Sequence, residues 1–599
     1  MFFLPAIFRP LATFLLVAVS LPTLTAVSTA SAADVTHRNV VFILIDDLSH
    51  YGVTAYGANR ISSEAAGFEN VIFETPRIDQ LARQGVRCDY AFAYPLCEPT
   101  RTTLMSGKYN NRNHLVSKGQ HASDITFGDL FQRAGYATGM TGKWKQTRGT
   151  VEIPGESYIS EFGWDEYCCF DVVTEGRRYI NPNMVINGDV INFGNKSDID
   201  PETGRRWYGP DICNRFALDF LKRHQNEPFF LYYPMMLLHD EHMPTPDTVP
   251  ATAFDEFDAM SRSPNGRRND EKKYFPDMIA YTDKLIGKVI DQVDRLGLRE
   301  NTLIVVMGDN GTKEPFTHIL PDGTQYPGGK GSTTDNGTHV PLILSLPGTV
   351  PVGTPDHPRV CDGLVDLADI HPTLCDAAQI EIPNADDLDG ISFWSQMLGD
   401  SQEHRDASYV WYNHNRPMTD PSEVLAYAFD KHFKRYAPDR YYPDGRFFDL
   451  RVDPFEKMGD TKVQGPGWKK FYHSGLKIDE LTDEQRAGYE RLGKVLAEHQ
   501  YVAVKELQVL TPPVVLPRGE TAQLSVDVVP SNATRNGVVW ESSDTSVVSV
   551  NKFGEITAHR PGKATISVYS WDDAFPVANQ SPKTFSRSGN SDSISVTVR

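Results

Sequence analysis

Cysteine is scarce in this chain, seven residues in 599, and positive charge falls short of negative, 59 Lys and Arg against 78 Asp and Glu. The cysteine spacing matches no zinc module. The charge deficit argues against a nucleic-acid partner, which calls for a basic surface. Beyond the first thirty residues the chain also lacks any uncharged apolar run long enough to cross a bilayer. No transmembrane segment is therefore expected in the mature protein. The first residues differ: Arg9 gives a short basic flank, Leu11 to Leu24 is mostly apolar, and Ala30-Ser31-Ala32 supplies small residues at a cleavage position. This pattern predicts a signal peptide over residues 1–32 and export to the periplasm or the extracellular space. Cleavage there removes one cation, leaving 58 basic against 78 acidic residues.

What is present is a large α/β pattern. Val40 to Ile45, Phe229 to Tyr233 and Thr302 to Met307 are continuous apolar runs rich in aromatic or β-branched residues, as expected of central strands covered on both faces. Between them lie helical signals, including Thr75-Pro76 at a helix start and apolar residues at helical spacing from Tyr274 to Leu296. Strands alternating with helices imply a mostly parallel sheet wrapped by helices. Ligands then bind beyond the carboxyl ends of the strands. The first run ends in Asp46-Asp47, the last in Gly308-Asp309-Asn310-Gly311, and Phe229 to Tyr233 leads into a loop with His239. Asp46, Asp47, Asp309 and the amide oxygen of Asn310 are hard oxygen donors suited to Ca²⁺ or Mg²⁺.

After about residue 400 the segments shorten and become aromatic, and a charged helix is expected from Asp483 to Glu498. From Val504 the pattern becomes all-β: Gln523 to Val528, Val547 to Val550, Ala564 to Val568 and Ile594 to Val598 read as short strands, with glycines at turns. The predicted organisation is a catalytic α/β domain over 33–400, a smaller α+β subdomain over 401–503, and a β-sandwich over 504–599. A polar stretch from Asp572 to Asp592 is expected to form a protruding or disordered loop.

Cys97-Glu98-Pro99-Thr100-Arg101 joins these readings. With the strand-end carboxylates, it resembles the sulfatase family over most of residues 38–400. In that family the cysteine of Cys-x-Pro-x-Arg is oxidised to formylglycine by a maturation enzyme. The resemblance implies an alkaline-phosphatase-like fold and a sulfuric ester hydrolase. It implies a divalent metal held by Asp46, Asp47, the modified Cys97, Asp309 and Asn310, with Arg101 bracing the formylglycine hydrate. Gly142-Lys143-Trp144 and Gly329-Lys330-Gly331 match the segments whose lysines bind sulfate, and His239 matches the histidine that serves the leaving-group oxygen. The mechanism so implied is covalent: a hydroxyl of the hydrate attacks sulfur, and His239, assisted by Lys330, protonates the departing alcohol.

Two departures stand out. Members commonly carry histidine two residues after the signature lysine, where this chain has Lys145, which offers donors and no acceptor when protonated and is expected to help hold sulfate. Thr100 replaces the commoner serine. His242, three residues after His239, is expected in a loop or lining the substrate.

The 504–599 segment resembles a bacterial immunoglobulin-like domain in Pro530 to Thr534, Val539 to Asp544 and Gly554 to Ala558. Such a domain on an exported enzyme suggests a sulfated polysaccharide in place of a small sulfate ester. Two alternatives are a phosphate or phosphonate ester hydrolase, whose members usually carry histidine where this chain has Asn310, and a catalytically weak surface-binding protein. The cysteines other than Cys97 number six, compatible equally with disulfides and with buried thiols.

Overall fold

The computed structural model describes residues 38–599 apart from 114–118, 121, 147–157, 171, 173–177, 197–198, 258–268, 355–356, 402–403, 414–423, 440–441, 465–470 and 572–589. The expected signal peptide and nearly all of the expected Asp572 to Asp592 loop lie outside the described residues.

A ten-stranded sheet runs in the order Arg359–Asp366, Val86–Phe92, Leu342–Ser345, Thr302–Gly308, Asn39–Ile45, Phe229–Pro234, Ala137–Lys143, Glu166–Phe170, Asn183–Ile186, Asp189–Asn192. Its middle is parallel, with Asn39–Ile45 between Thr302–Gly308 and Phe229–Pro234. Every residue of these three strands is buried. Alternation explains the unbroken apolar run: Val40, Phe42 and Leu44 enter the core on one face, Val41, Ile43 and Ile45 that on the other. Helices Gly209–Arg223 and Phe275–Arg295 cover the second face, and Phe127–Arg133 and Ile370–Ala378 the first.

The sheet is more mixed than the strand–helix alternation predicts. Leu342–Ser345 runs antiparallel to both neighbours, and the far edge is an antiparallel hairpin. The site depends on the parallel part. Register pairs Ile45 with Gly308, so Asp46-Asp47 and Asp309-Asn310 leave the sheet side by side.

The smaller subdomain is a four-stranded antiparallel sheet, Ser408–Tyr412, Leu425–Phe429, Phe433–Tyr436 and Arg446–Asp449. The helix Asp483–Glu498, started by a Thr482/Gln485 capping box, covers it with Leu492 against Ala428, Phe433 and Phe447. Val410, Tyr412, Tyr427 and Phe448 join the main core, so this subdomain shares hydrophobic packing with the large sheet.

The last segment is all-β, as expected. In Gly562–Ser570 and Ser591–Val598 buried and exposed residues largely alternate, with Ile566, Ile594 and Val596 in the core. The expected single strand Gln523 to Val528 is two. Thr521–Gln523 pairs with Glu555–Ala558, and Val526–Val529 with Glu506–Val509 in another sheet. Leu524, buried in the sandwich core and bonded through its amide to the Gly554 carbonyl, marks the crossing.

The sandwich is bonded to the α/β domain. Lys552 Nζ reaches Asp129 Oδ2 (2.9 Å) and the Asp124 carbonyl (3.1 Å), Trp571 Nε1 donates to Ser123 Oγ (2.9 Å), and Arg535 Nε donates to the Asn111 carbonyl (3.3 Å). All seven cysteines are free thiols, six of them buried.

Candidate active site

Cys97 opens the helix Cys97–Ser106, which Gly107 ends at φ 68°, a left-handed conformation that suits glycine. The helix N-terminus turns its partial positive charge toward the cluster of carboxylates. Cys97 Sγ, standing where a formylglycine oxygen would lie, is 3.3 Å from Asp46 Oδ1 and 3.9 Å from Asp47 Oδ1. Asp46, Asp47, Cys97 and Asp309 each place one ligand atom within 4.8 Å of the others, and one His239 nitrogen is equally close to Asp46 and Cys97.

Three buried carboxylates in one site would each cost several kcal/mol if unpaired. Each has a cation: Lys143 Nζ on Asp46 Oδ2 (2.5 Å), Lys330 Nζ on Asp47 Oδ1 (2.5 Å), and Arg101 Nη2 on Asp309 Oδ2 (2.8 Å). Arg101 Nη1 also donates to the Lys143 carbonyl (2.9 Å), and Lys143 Nζ lies 3.4 Å from Cys97 Sγ. Thr100 donates its hydroxyl to the Asp309 carbonyl (2.8 Å).

Burial dominates the acid–base properties. It pushes the Cys97 thiol up to about 12, with Asp309 and Asp46 adding to the effect. Burial and then Asp46 lift Asp309 to about 7. Burial would raise Asp46 and Asp47 too, but Lys143 for the first and Lys330 for the second, with His239 beside both, hold them below the usual carboxylate range. His239 is lowered to about 4 by burial and then by Arg178, Lys330 and Lys143.

The donor set fits a divalent cation. Asn310 Nδ2 donates to Asp47 Oδ1 (2.9 Å) and to the Gly311 carbonyl (3.0 Å), which orients the amide. Its Oδ1 is buried without a hydrogen-bond partner. An orphaned amide oxygen beside three carboxylates is a hard-donor arrangement of the kind Ca²⁺ or Mg²⁺ takes.

The fold thus brings together Asp46, Asp47, Cys97, Arg101, Lys143, His239, Asp309, Asn310 and Lys330. Lys145 is buried two residues beyond its strand, with φ 74°. A left-handed lysine is sparsely populated backbone, held here by its surroundings. His242 lies in a loop, one of its two expected places, and is buried there: it bonds Asp270 Oδ1 through Nδ1 (2.7 Å) and packs edge-on against Phe275 and Phe316.

Sequence reasoning missed the surroundings of His239. Asp240 Oδ1 lies 2.6 Å from His239 Nδ1 and its other oxygen pairs with Lys313. Arg178 approaches the same ring nitrogen and donates to the Asp240 carbonyl (2.5 Å), with its guanidinium 5.2 Å from the Phe170 ring. Tyr179 OH donates to the His239 carbonyl (2.7 Å). The adjacent His239-Asp240 pair was a readable signal. Arg178, sixty-one positions away, belongs to no motif.

The model of the sulfatase family matches residues 38–380, and that of the bacterial Ig-like domain (group 2) residues 503–577. N-acetylgalactosamine-6-O-sulfatase of Bacteroides thetaiotaomicron is 25% identical over 511 residues, covering 71% of this chain and 89% of its own. Human arylsulfatase A is 25% identical over 497 residues, with 79% and 87% covered. Among solved structures, one in complex with D-glucosamine-2-N,6-O-disulfate superposes with a TM-score of 0.55 at 19% identity, covering 78% of this chain and 97% of that one. The phosphonate monoester hydrolase of Agrobacterium radiobacter reaches 0.51 at 18%, covering 77% and 95%.

Proposed function

The chain belongs to the sulfatase family and is a sulfuric ester hydrolase, and from that premise we propose that it removes sulfate from a sulfated carbohydrate, using formylglycine made from Cys97 by a maturation enzyme. The observation that carries this reading is the position of Cys97 at a helix start within 4.8 Å of three paired carboxylates. When formed, the hydrated aldehyde supplies the nucleophilic oxygen and the divalent metal supplies positive charge beside it. Asp46, Asp47, Asp309 and Asn310 are the residues that would hold that metal, with Ca²⁺ favoured and Mg²⁺ the other candidate.

The remaining chemistry belongs to the chain itself. Lys143, 3.4 Å from the Cys97 sulfur, and Lys330, on Asp47, are the cations that can hold the non-bridging sulfate oxygens as charge shifts to the leaving alcohol. Arg101 fixes Asp309 and the Lys143 backbone. His239 has Asp240 at Nδ1, which leaves Nε2 for the leaving-group oxygen. Lys145, left-handed and buried, adds a cation to a chain whose overall charge of −19 repels an anionic substrate.

Sugar chemistry is favoured by the relatives: N-acetylgalactosamine-6-O-sulfatase acts on a sulfated amino sugar by its name, and one neighbour in fold was solved with a disulfated glucosamine. Asn310, where an imidazole would suit a transition metal, weighs against the phosphonate ester alternative. Export by the N-terminal signal is part of the same reading.

The test is sulfate release from a panel of sulfated mono- and oligosaccharides, run beside phosphate and phosphonate esters. The reading expects a sulfated sugar to give the highest kcat/KM. A phosphonate or phosphate ester turned over faster than every sulfate ester would overturn it.

A further inference from the structure

Cysteines far apart in the chain meet in the sheet. Cys88 on Val86–Phe92 stands directly opposite Cys361 on Arg359–Asp366 in the parallel register, and both side chains pack into the core on the first face. Paired residues of neighbouring strands sit about 4.8 Å apart, within the roughly 4.4–6.8 Å between α-carbons that a disulfide spans. The thiols also touch, Cys88 hydrogen-bonding to the Cys361 sulfur. A second pair lies on the other face: Cys213, on the covering helix Gly209–Arg223, has its sulfur 3.8 Å from the Cys168 carbonyl, and both residues are buried. Solvent reaches the first pair and not the second.

The two thiols of the first pair are unlike. Cys88 is buried, whereas Cys361 is half-exposed on the outermost strand of the ten, between exposed Val360 and Asp362. After Cys361 the strand slips register, and the Gly363 amide there donates to the Cys361 sulfur alongside the Cys88 thiol. The Cys88 contact, more than the Gly363 amide, holds Cys361 down at about 7 against the effect of burial. That same contact, ahead of burial, pushes Cys88 well above the ordinary thiol range. A thiol that ionises near ambient pH is the best attacking group in disulfide exchange. Cys361 therefore has both the ionisation and the access of a nucleophile, and Cys88 stands behind it as the second sulfur.

We propose that Cys88 and Cys361 form a disulfide-exchange site: Cys361 accepts a small disulfide such as oxidised glutathione from solvent, and Cys88 resolves the adduct to an internal Cys88–Cys361 bond. Cys361, its proton lost to solvent, attacks one sulfur of the incoming disulfide, whose S–S bond breaks to release a thiolate that solvent reprotonates. Cys88 then gives its proton to solvent and attacks the Cys361 sulfur, and the second external thiolate leaves and is reprotonated. Two protein thiols are oxidised and one external disulfide is reduced to two thiols. Compartments into which proteins are exported supply such oxidants. Cys97 stands outside this exchange: its sulfur is beside Asp46, Asp47 and Lys143, and among the described residues no other cysteine shares its cluster. The new bond would fasten the edge strand to Val86–Phe92, the strand that leads into Cys97.

The experiment uses the full chain, reduced and desalted without denaturant, then incubated folded with oxidised glutathione. Remaining thiols are alkylated in denaturant, and the digest is mapped by mass without reduction. Wild type should give a joined peptide pair carrying residues 88 and 361, with Cys168 and Cys213 recovered as alkylated thiols. Cys88→Ala should stop at a glutathione adduct on Cys361. Cys361→Ala should take up about a tenth or less of the wild-type glutathione oxidising equivalents, since the thiol left at 88 is buried. Should Cys88→Ala fail to fold, wild type and Cys361→Ala decide. Recovery of both Cys88 and Cys361 as alkylated thiols in oxidised wild type would overturn the proposal. So would a glutathione adduct that persists on Cys361 in wild type, or a Cys168–Cys213 bond formed ahead of Cys88–Cys361.

Discussion

The ends of the central strands and the immunoglobulin-like sandwich treat charge in opposite ways. At the strand ends three carboxylates, two lysines and an arginine are buried together, each acid on its own cation. In the sandwich the core is Leu524, Val548, Ile556, Ile566, Ile594 and Val596, and polar residues alternate outward. The first arrangement spends stability to hold reactive groups dry; the second gains it from apolar burial. A substitution in one region should therefore separate chemistry from stability, and one in the other should do the reverse.

Cys97→Ala is the widest separation expected. Activity should fall by about three orders of magnitude or more with loss of the nucleophile, while Tm stays within about 2 °C, since a small side chain leaves next to intact ion pairs. Sulfate release and a thermal melt on one preparation measure both; wild-type sulfate release would sink the assignment. Asp309→Ala should cost in both currencies. It strands buried Arg101, worth about 3–5 kcal/mol, and it removes bound metal, read by elemental analysis. Retention of wild-type metal would refute the ligand set.

Ile566→Ala inverts the pattern. A core cavity in the sandwich should cost about 2–5 kcal/mol, with kcat unchanged at temperatures where the domain stays folded. A matching loss of kcat would mean that the two regions are coupled through contacts such as Lys552 on Asp129. Lys145→Ala should have the mildest effect, KM up about fivefold with kcat within about twofold, because the residue serves as a cation for substrate capture. A fall in kcat at constant KM would assign it to the chemical steps instead.

The same contrast explains what could be read from sequence. Val40 to Ile45 and Thr302 to Met307 are visible because strands covered on both faces leave no polar position, and the carboxylates that interrupt them at Asp46 and Asp309 stand out for the same reason. The helix Asp483–Glu498 is legible from its charged residues. Antiparallel Leu342–Ser345 was not, since strand direction is set by connections and not by composition. The break at Leu524 was hidden because a residue that crosses between sheets keeps the alternating pattern. Arg178 beside His239 and Cys88 opposite Cys361 are meetings of residues far apart in the chain that no motif links.

The central claim is that catalysis runs through an oxidised Cys97. The direct measurement is the mass of the peptide containing residue 97, made on preparations matured to different extents, beside their specific sulfatase activity. The account predicts that the aldehyde or its hydrate is present and that activity rises in proportion to its fraction. Full activity in a preparation whose Cys97 is entirely thiol would contradict it.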